Sequence, residues 1–173
     1  MISNELGRNI VNLILFQVGW IYCAMETSFT SGIVAFVFVV VHLTLVSQRR
    51  KQEVLFIAAG TALGSLLDGI NLNAGVLEHP AQPAWTPLWL VGLWALFMTT
   101  LPHSLAWLGK KRWLLFIFAP IGGPFAYWSA TRLGETSFPD PTVSLLALAV
   151  GWTIVLPLLF TLKRGIMPGT SAA

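Results

Sequence analysis

Long apolar stretches separated by short polar segments make up most of this chain. Six such stretches can be delimited, at residues 10–25, 32–47, 54–77, 87–108, 113–133 and 142–162. A helix needs about 20 mostly apolar residues to cross the hydrocarbon core of a bilayer, and the stretches come close to that length. The pattern predicts an all-α, polytopic membrane protein. We expect one bundle of about six transmembrane helices at residues 1–165, followed by a flexible C-terminal tail at 166–173.

Basic residues are concentrated in alternate connections between these stretches. Arg8 precedes the first stretch, and basic clusters follow the second, fourth and sixth stretches at 49–51, 110–112 and 163–164. The remaining connections carry most of the acidic residues. Because Lys and Arg are retained in cytoplasmic loops, this alternation predicts a multi-pass protein with both termini and the basic connections in the cytoplasm.

Composition supports the same class of protein. Hydrophobic residues make up 55% of the chain and charged residues 10%, whereas soluble domains carry about 25% charged residues. The excess of ten Lys and Arg over seven Asp and Glu is explained by the loop clusters, so it does not indicate nucleic-acid binding. The expected partners are membrane lipids, a small-molecule ligand, and either further copies or a partner subunit.

A stripe of small and polar residues follows one face of the third stretch. Gly60, Gly64 and Asp68 are spaced four apart, and Asn71 comes three residues later, so all four share a helix face. Small residues at this spacing let a neighbouring helix approach closely within a bilayer. A carboxyl group exposed to hydrocarbon costs about 2.5–3.5 kcal/mol, so Asp68 should face protein.

Trp94 of the fourth stretch and Tyr127 of the fifth lie at a depth compatible with Asp68 and Asn71. Together the four residues are predicted to form an outer ligand-binding layer, or a proton relay, because intramembrane carboxyl groups often have such roles. The alternative is that they hydrogen-bond only to one another and hold the helices together.

A second polar layer is predicted nearer the basic connections, and its members are Asn12, Gln17, His42, His103 and Ser104. Each histidine precedes a basic cluster by seven residues, so the two imidazoles should lie at equal depth, about 10 Å inside the basic border. Gln17 is expected to face inward with Asn12, as a contact between helices or as pocket lining.

Equal depth leaves several roles open for His42 and His103. The pair would suit bis-histidine ligation of haem b or a metal site. Either residue could instead be a general base facing a substrate, or both could be structural and hydrogen-bonded to Ser, Thr or backbone. The structural role is favoured, so no metal or other cofactor is expected.

Several groups of residues form a set that can be compared with known families. They are Asn12, Gln17 and Trp20, then Gly64, Asp68 and Gly75, then Trp89, Trp94, His103, Ser104 and Trp107, and finally Gly123, Pro124, Tyr127 and Gly134. The set resembles a family of small bacterial multi-pass membrane proteins, the domain of unknown function DUF2878, over nearly the whole chain. The resemblance implies an inner-membrane location, no settled activity, and an association with fatty-acid modification and stress-response genes. Ser129-Ala130 stands where the family often has a glycine.

These observations favour an intramembrane polar pocket that binds or transports a small molecule or lipid. The alternatives are a membrane enzyme acting on lipid or fatty acyl chains, a bis-histidine haem protein, and an assembly subunit. The chain contains no HExxH, GxSxG, HxxxxD or Walker A motif. No known reaction is therefore indicated, and whether the protein is an enzyme is left open.

Overall fold

The computed structural model describes residue 2 and residues 4–168. Over these residues the chain forms helices and no β-strand: α1 (Glu5–Glu26), α2 (Phe29–Leu45), α3 (Arg50–Asn73), α4 (Leu88–Thr100), the short 3-10 helix η1 (Ala106–Lys110), α5 (Arg112–Leu133) and α6 (Pro141–Ile166). The prediction of an all-helical protein with six main helices is confirmed.

Four helices, α1, α3, α5 and α6, are long and apolar enough to cross a membrane, whereas α2 and α4 are apolar but shorter, at 17 and 13 residues. Large apolar side chains cover much of the outside of the bundle, among them Phe29, Ile121 and Leu146, each more than 60% exposed. An apolar exterior of this kind is suited to contact with lipid. These properties identify a membrane protein.

The bundle has two ends that differ in charge. The end that we call the basic end contains the start of α1, the α2–α3 connection at 46–49, the segment at 101–111 and the end of α6. The opposite end, called the far end, contains the connections at 27–28, 74–87 and 134–140.

Helix α4 lies at the centre of the bundle and packs against α1, α2 and α3. Nine of its 13 residues are buried, whereas α3, which carries the glycine stripe, buries nine of 24. The centre of the bundle is therefore α4 and not α3, although α3 carries the intramembrane carboxyl group. A helix that contacts three neighbours must be apolar on nearly every face. Its sequence therefore has no single apolar stripe from which its central position could be predicted.

The fourth apolar stretch, predicted as one span over 87–108, is divided in two. Helix α4 ends at Thr100, and the chain then turns before η1 begins at Ala106. Leu101 still has αR geometry, but Pro102 has no amide hydrogen and cannot continue the helical hydrogen bonds, so the helix stops here. The turn is closed by bonds from the amides of His103 and Leu105 to the carbonyl of Thr100, at 3.0 and 2.9 Å.

The glycines of the α3 stripe admit large side chains rather than a neighbouring backbone. A Cβ at Gly64 would overlap the Trp94 ring, and one at Gly60 would overlap Met98. Gly123 on α5 accommodates the Trp152 ring in the same way. Helix α5 runs unbroken through Gly123 and the adjacent Pro124.

The predicted tail at 166–173 overlaps the end of α6 by one residue, and its flexibility stays a prediction. Ile166 is the last residue of α6, and Met167 is 3% exposed. Residues 169–173 lie outside the described part of the chain.

Candidate functional site

The predicted outer layer is brought together around one carboxylate. Trp94 Nε1 donates to Asp68 Oδ2 at 2.7 Å, and Tyr127 Oη donates to Asp68 Oδ1 at 2.5 Å. Asn71 lies beside the same carboxylate, and Asp68 itself is fully buried. We call Asp68, Asn71, Trp94 and Tyr127 the Asp68 cluster. A buried carboxylate is tolerated when donors satisfy it, and here each oxygen has one from a different helix.

The Asp68 cluster is extended by aromatic stacking. Trp152 of α6 stacks on Trp94 with ring centroids 5.1 Å apart and an interplanar angle of 14°. Its edge faces Tyr127, with centroids 6.5 Å apart. Three aromatic side chains from α4, α5 and α6 therefore form one continuous wall, and Asp68 fixes the polar atoms of two of them.

This aromatic wall borders a cavity of about 370 Å³. The lining comes from α1, α4, η1, α5, α6 and the connections that carry Leu77, Leu105 and Thr136. It is almost wholly apolar or aromatic, and none of the described lining residues is charged. The lining residues that carry polar side-chain atoms are Tyr127, Thr136 and tryptophans. Asp68 lies behind Trp94 and Tyr127 and is not part of the lining, so its role toward the cavity is to orient these two side chains.

A second buried polar cluster lies at the basic end. Glu53 Oε1 is 2.5 Å from His42 Nε2 and 2.9 Å from His103 Nε2. The His42 and His103 rings meet edge to face, with centroids 5.0 Å apart. His42 and Glu53 are almost completely buried, and the His103 side chain is 13% exposed. We call these three residues the His–Glu cluster.

Asn12 connects the His–Glu cluster to α4 and the segment that follows it. Its amide nitrogen donates to Thr99 Oγ1 at 2.9 Å and to the Thr99 carbonyl at 3.2 Å. Its oxygen accepts from the Ser104 hydroxyl at 2.6 Å and from the Ser104 amide at 3.3 Å. The same amide nitrogen is 3.2 Å from His42 Nδ1. Four of the five predicted inner-layer residues therefore share one hydrogen-bonded network.

The fifth, Gln17, lies elsewhere. It is exposed on the outer face of α1, so the expectation that it faces inward with Asn12 is wrong. Five residues rotate a helix by about 140° relative to Asn12, which turns Gln17 away from the bundle.

Sequence reasoning overlooked Glu53 and Lys163. Glu53 closely follows the basic cluster at 49–51, so its position suggests an exposed charge in a loop. In the structure it begins the buried face of α3, which continues through Ile57, Gly60 and Gly64. This spacing of three and four residues was the available signal. Lys163 Nζ donates to the Leu101 carbonyl at 3.0 Å and is 7% exposed.

The inner cluster does not have the geometry of bis-histidine haem ligation. The two Nε2 atoms converge on a single carboxylate oxygen, which occupies the position between the imidazoles where haem iron would need to lie. The three side chains instead resemble the ligands of a single metal ion, because one carboxylate oxygen and two imidazole nitrogens lie within 4.8 Å of one another.

Comparison with known proteins identifies the family. A family model described as "Protein of unknown function (DUF2878)" matches residues 9–158. No curated protein and no solved structure matches the chain.

Proposed function

Since the chain belongs to the DUF2878 family of unknown function, we propose its function from the geometry of its interior: it binds an elongated, uncharged, lipid-like molecule in the cavity beside the Asp68 cluster. The observation that carries this proposal is the apolar and aromatic lining of that cavity. Ligand pockets typically have volumes of about 300–1,000 Å³ and apolar walls with a few placed polar groups.

The shape of the cavity favours a chain-like ligand. Leu77 and Thr136 line it near the far end, and Trp107 and Leu108 line it near the basic end. The cavity thus follows the long axis of the bundle. An acyl or isoprenoid chain has the length and the apolar surface to fill such a space.

The polar atoms of the lining favour a ligand without charge. Among residue 2 and residues 4–168, no Lys, Arg or His lines the cavity, so a carboxylate or phosphate inside it would lack a counter-charge. Tyr127 and Thr136 bring hydroxyl-bearing side chains to the lining, so an uncharged oxygen on the ligand could hydrogen-bond there.

Access from the bilayer is supported at α5. Gly122 lines the cavity and is exposed on the outside of the bundle, with open space where a Cβ would point. Phe16 and Trp20 of α1 also line the cavity. A lipid chain could enter sideways between α1 and α5 without crossing an aqueous phase.

The test is to fill the cavity from within. Ala126 lines the cavity and is half-buried, so Ala126→Trp should exclude the ligand. Ala58→Trp is the matched control, because Ala58 is exposed on α3 and does not line the cavity. Native mass spectrometry and extraction of co-purified lipid would measure occupancy, and quenching of Trp fluorescence by brominated lipid would report chain entry.

We expect occupancy to fall about tenfold or more in Ala126→Trp, equivalent to about 1.4 kcal/mol of binding free energy. The Ala58→Trp variant should match the wild type. Equal amounts of bound lipid in all three proteins would reject the proposal.

A membrane enzyme acting on lipid or acyl chains is the second candidate. It is favoured by the His–Glu cluster, since paired imidazoles and a carboxylate are common in proton transfer and metal chemistry. Its test is the lipid profile of cells carrying His103→Ala: a changed acyl composition supports an enzyme, and an unchanged profile after deletion of the whole gene rejects it. For location, we propose a bacterial inner membrane with both termini in the cytoplasm, supported by the alternating basic connections.

A further inference from the structure

We propose that His42, Glu53 and His103 bind one first-row divalent metal ion, with Asn12 as the positioning residue of the site. This site is separate from the cavity beside the Asp68 cluster and does not depend on the proposed lipid ligand. Its ligands would be the two Nε2 atoms and Glu53 Oε1, which come from α2, α3 and the turn after α4.

The side chains already converge on one point. Their ligand atoms lie within 4.8 Å of one another, and the His–Glu contacts are 2.5 and 2.9 Å. Zinc binds imidazole nitrogen at about 2.0–2.1 Å and carboxylate oxygen at about 2.0–2.2 Å. Separating the three side chains by less than about 1 Å would create room for an ion at those distances.

Asn12 is placed to respond when an ion binds His42. In the described geometry its amide nitrogen faces His42 Nδ1, and the tautomer that satisfies this contact carries its proton on Nε2, directed at Glu53. A metal on Nε2 requires that proton to be on Nδ1, so the Asn12 carboxamide would have to turn its oxygen toward Nδ1–H. The hydroxyls of Thr99 and Ser104, at 2.9 and 2.6 Å, can donate or accept in either orientation, whereas the bonds to the Thr99 carbonyl and from the Ser104 amide would be given up. Partners that accept the second imidazole proton are characteristic of histidine metal ligands.

The ligand set also limits which metal fits. Two imidazoles and one carboxylate suit Zn²⁺, Fe²⁺ or another transition metal, whereas Mg²⁺ and Ca²⁺ prefer oxygen ligands. Three protein ligands leave a coordination position open, as catalytic rather than structural zinc sites do. The partial exposure of His103 places that open side next to the turn at the basic end.

The first measurement is the metal content of protein purified without a polyhistidine tag. We expect about one zinc or iron per chain by elemental analysis, and its loss in Glu53→Gln and His103→Ala. Asn12→Leu should weaken metal affinity by about 10–100-fold, as removal of such outer partners generally does. His79→Ala is the control, because His79 lies at the far end, in the connection at 74–87, and its content should equal that of the wild type.

The second measurement needs no variant and therefore survives a folding failure. In ¹⁵N-histidine NMR of the wild-type protein, added Zn²⁺ should shift the His42 and His103 signals and move the His42 proton from Nε2 to Nδ1. The His79 signals should stay in place. The proposal is overturned if protein equilibrated with excess Zn²⁺ or Fe²⁺ remains metal-free after desalting, or if His42 keeps its proton on Nε2 under those conditions. The cavity-filling variant Ala126→Trp should keep the metal content of the wild type. This result would show that the metal site does not depend on the proposed lipid site.

Discussion

The ring of Trp94 occupies the space that a side chain at position 64 would need. This contact lets Trp94 reach Asp68 one helical turn further along α3, at 2.7 Å from Oδ2. Gly64 thus leaves space for the Trp94 ring, which donates a hydrogen bond to Asp68 and forms part of the cavity wall.

Substitution of Gly64 should show how strongly this contact matters. We expect Gly64→Ala to destabilise the folded state by about 1–3 kcal/mol, because the added methyl group overlaps a ring held in place by Trp152 and Asp68. Gly122→Ala is the matched control, since a Cβ at Gly122 meets no atom within 4 Å, and it should be neutral or stabilising by up to about 1 kcal/mol. Thermal unfolding in detergent followed by circular dichroism would measure both. Equal stability of the two variants would contradict the packing argument.

The hydrogen bond from Tyr127 to Asp68 should contribute measurably to stability. Tyr127→Phe leaves one carboxylate oxygen without its donor, and loss of a hydrogen bond to a buried charged group costs about 1.5–3 kcal/mol. The other tyrosine, Tyr22, makes no side-chain hydrogen bond among the described contacts and provides Tyr22→Phe as the control. A difference between the variants below about 0.5 kcal/mol would show that Asp68 does not depend on Tyr127.

Asn12 should be the most sensitive polar residue at the basic end. Asn12→Leu removes the partners of Thr99 and Ser104 together, and each buried group left unsatisfied costs about 1–3 kcal/mol. Asn73→Leu is the comparison, because Asn73 is exposed and its amide bonds mainly to Gly69 of its own helix. Unfolding in detergent should show a large loss for Asn12→Leu and a small one for Asn73→Leu. The reverse order would exclude a structural role for the Asn12 network.

Membrane orientation can be tested with single cysteines, because Cys23 is fully buried and provides a quiet background. With basic loops in the cytoplasm, Ala81→Cys at the far end should react with an impermeant maleimide added to spheroplasts. Lys110→Cys at the basic end should react only after the membrane is permeabilised. The opposite labelling pattern would invert the orientation.

The Asp68 cluster was largely predictable from the sequence, and the His–Glu cluster only in part. Asp68 stands out because an acidic residue within a long apolar stretch has few tolerable surroundings. His42 and His103 were assigned similar depth by counting residues from the basic borders, and they do meet. Glu53, which joins them, lies where a helix end and a loop give the same residue pattern, so its burial could not be recognised from position alone.

Hydropathy and charge are local properties, so the residues alone were enough to reveal helical stretches, their number and their membrane character. The rotation of each helix about its axis and the choice of neighbours depend on how side chains from distant segments fit together. Only the folded chain therefore decided that α4 is central, that Gln17 faces outward, that Trp94 fills the space at Gly64, and that a cavity remains beside Tyr127.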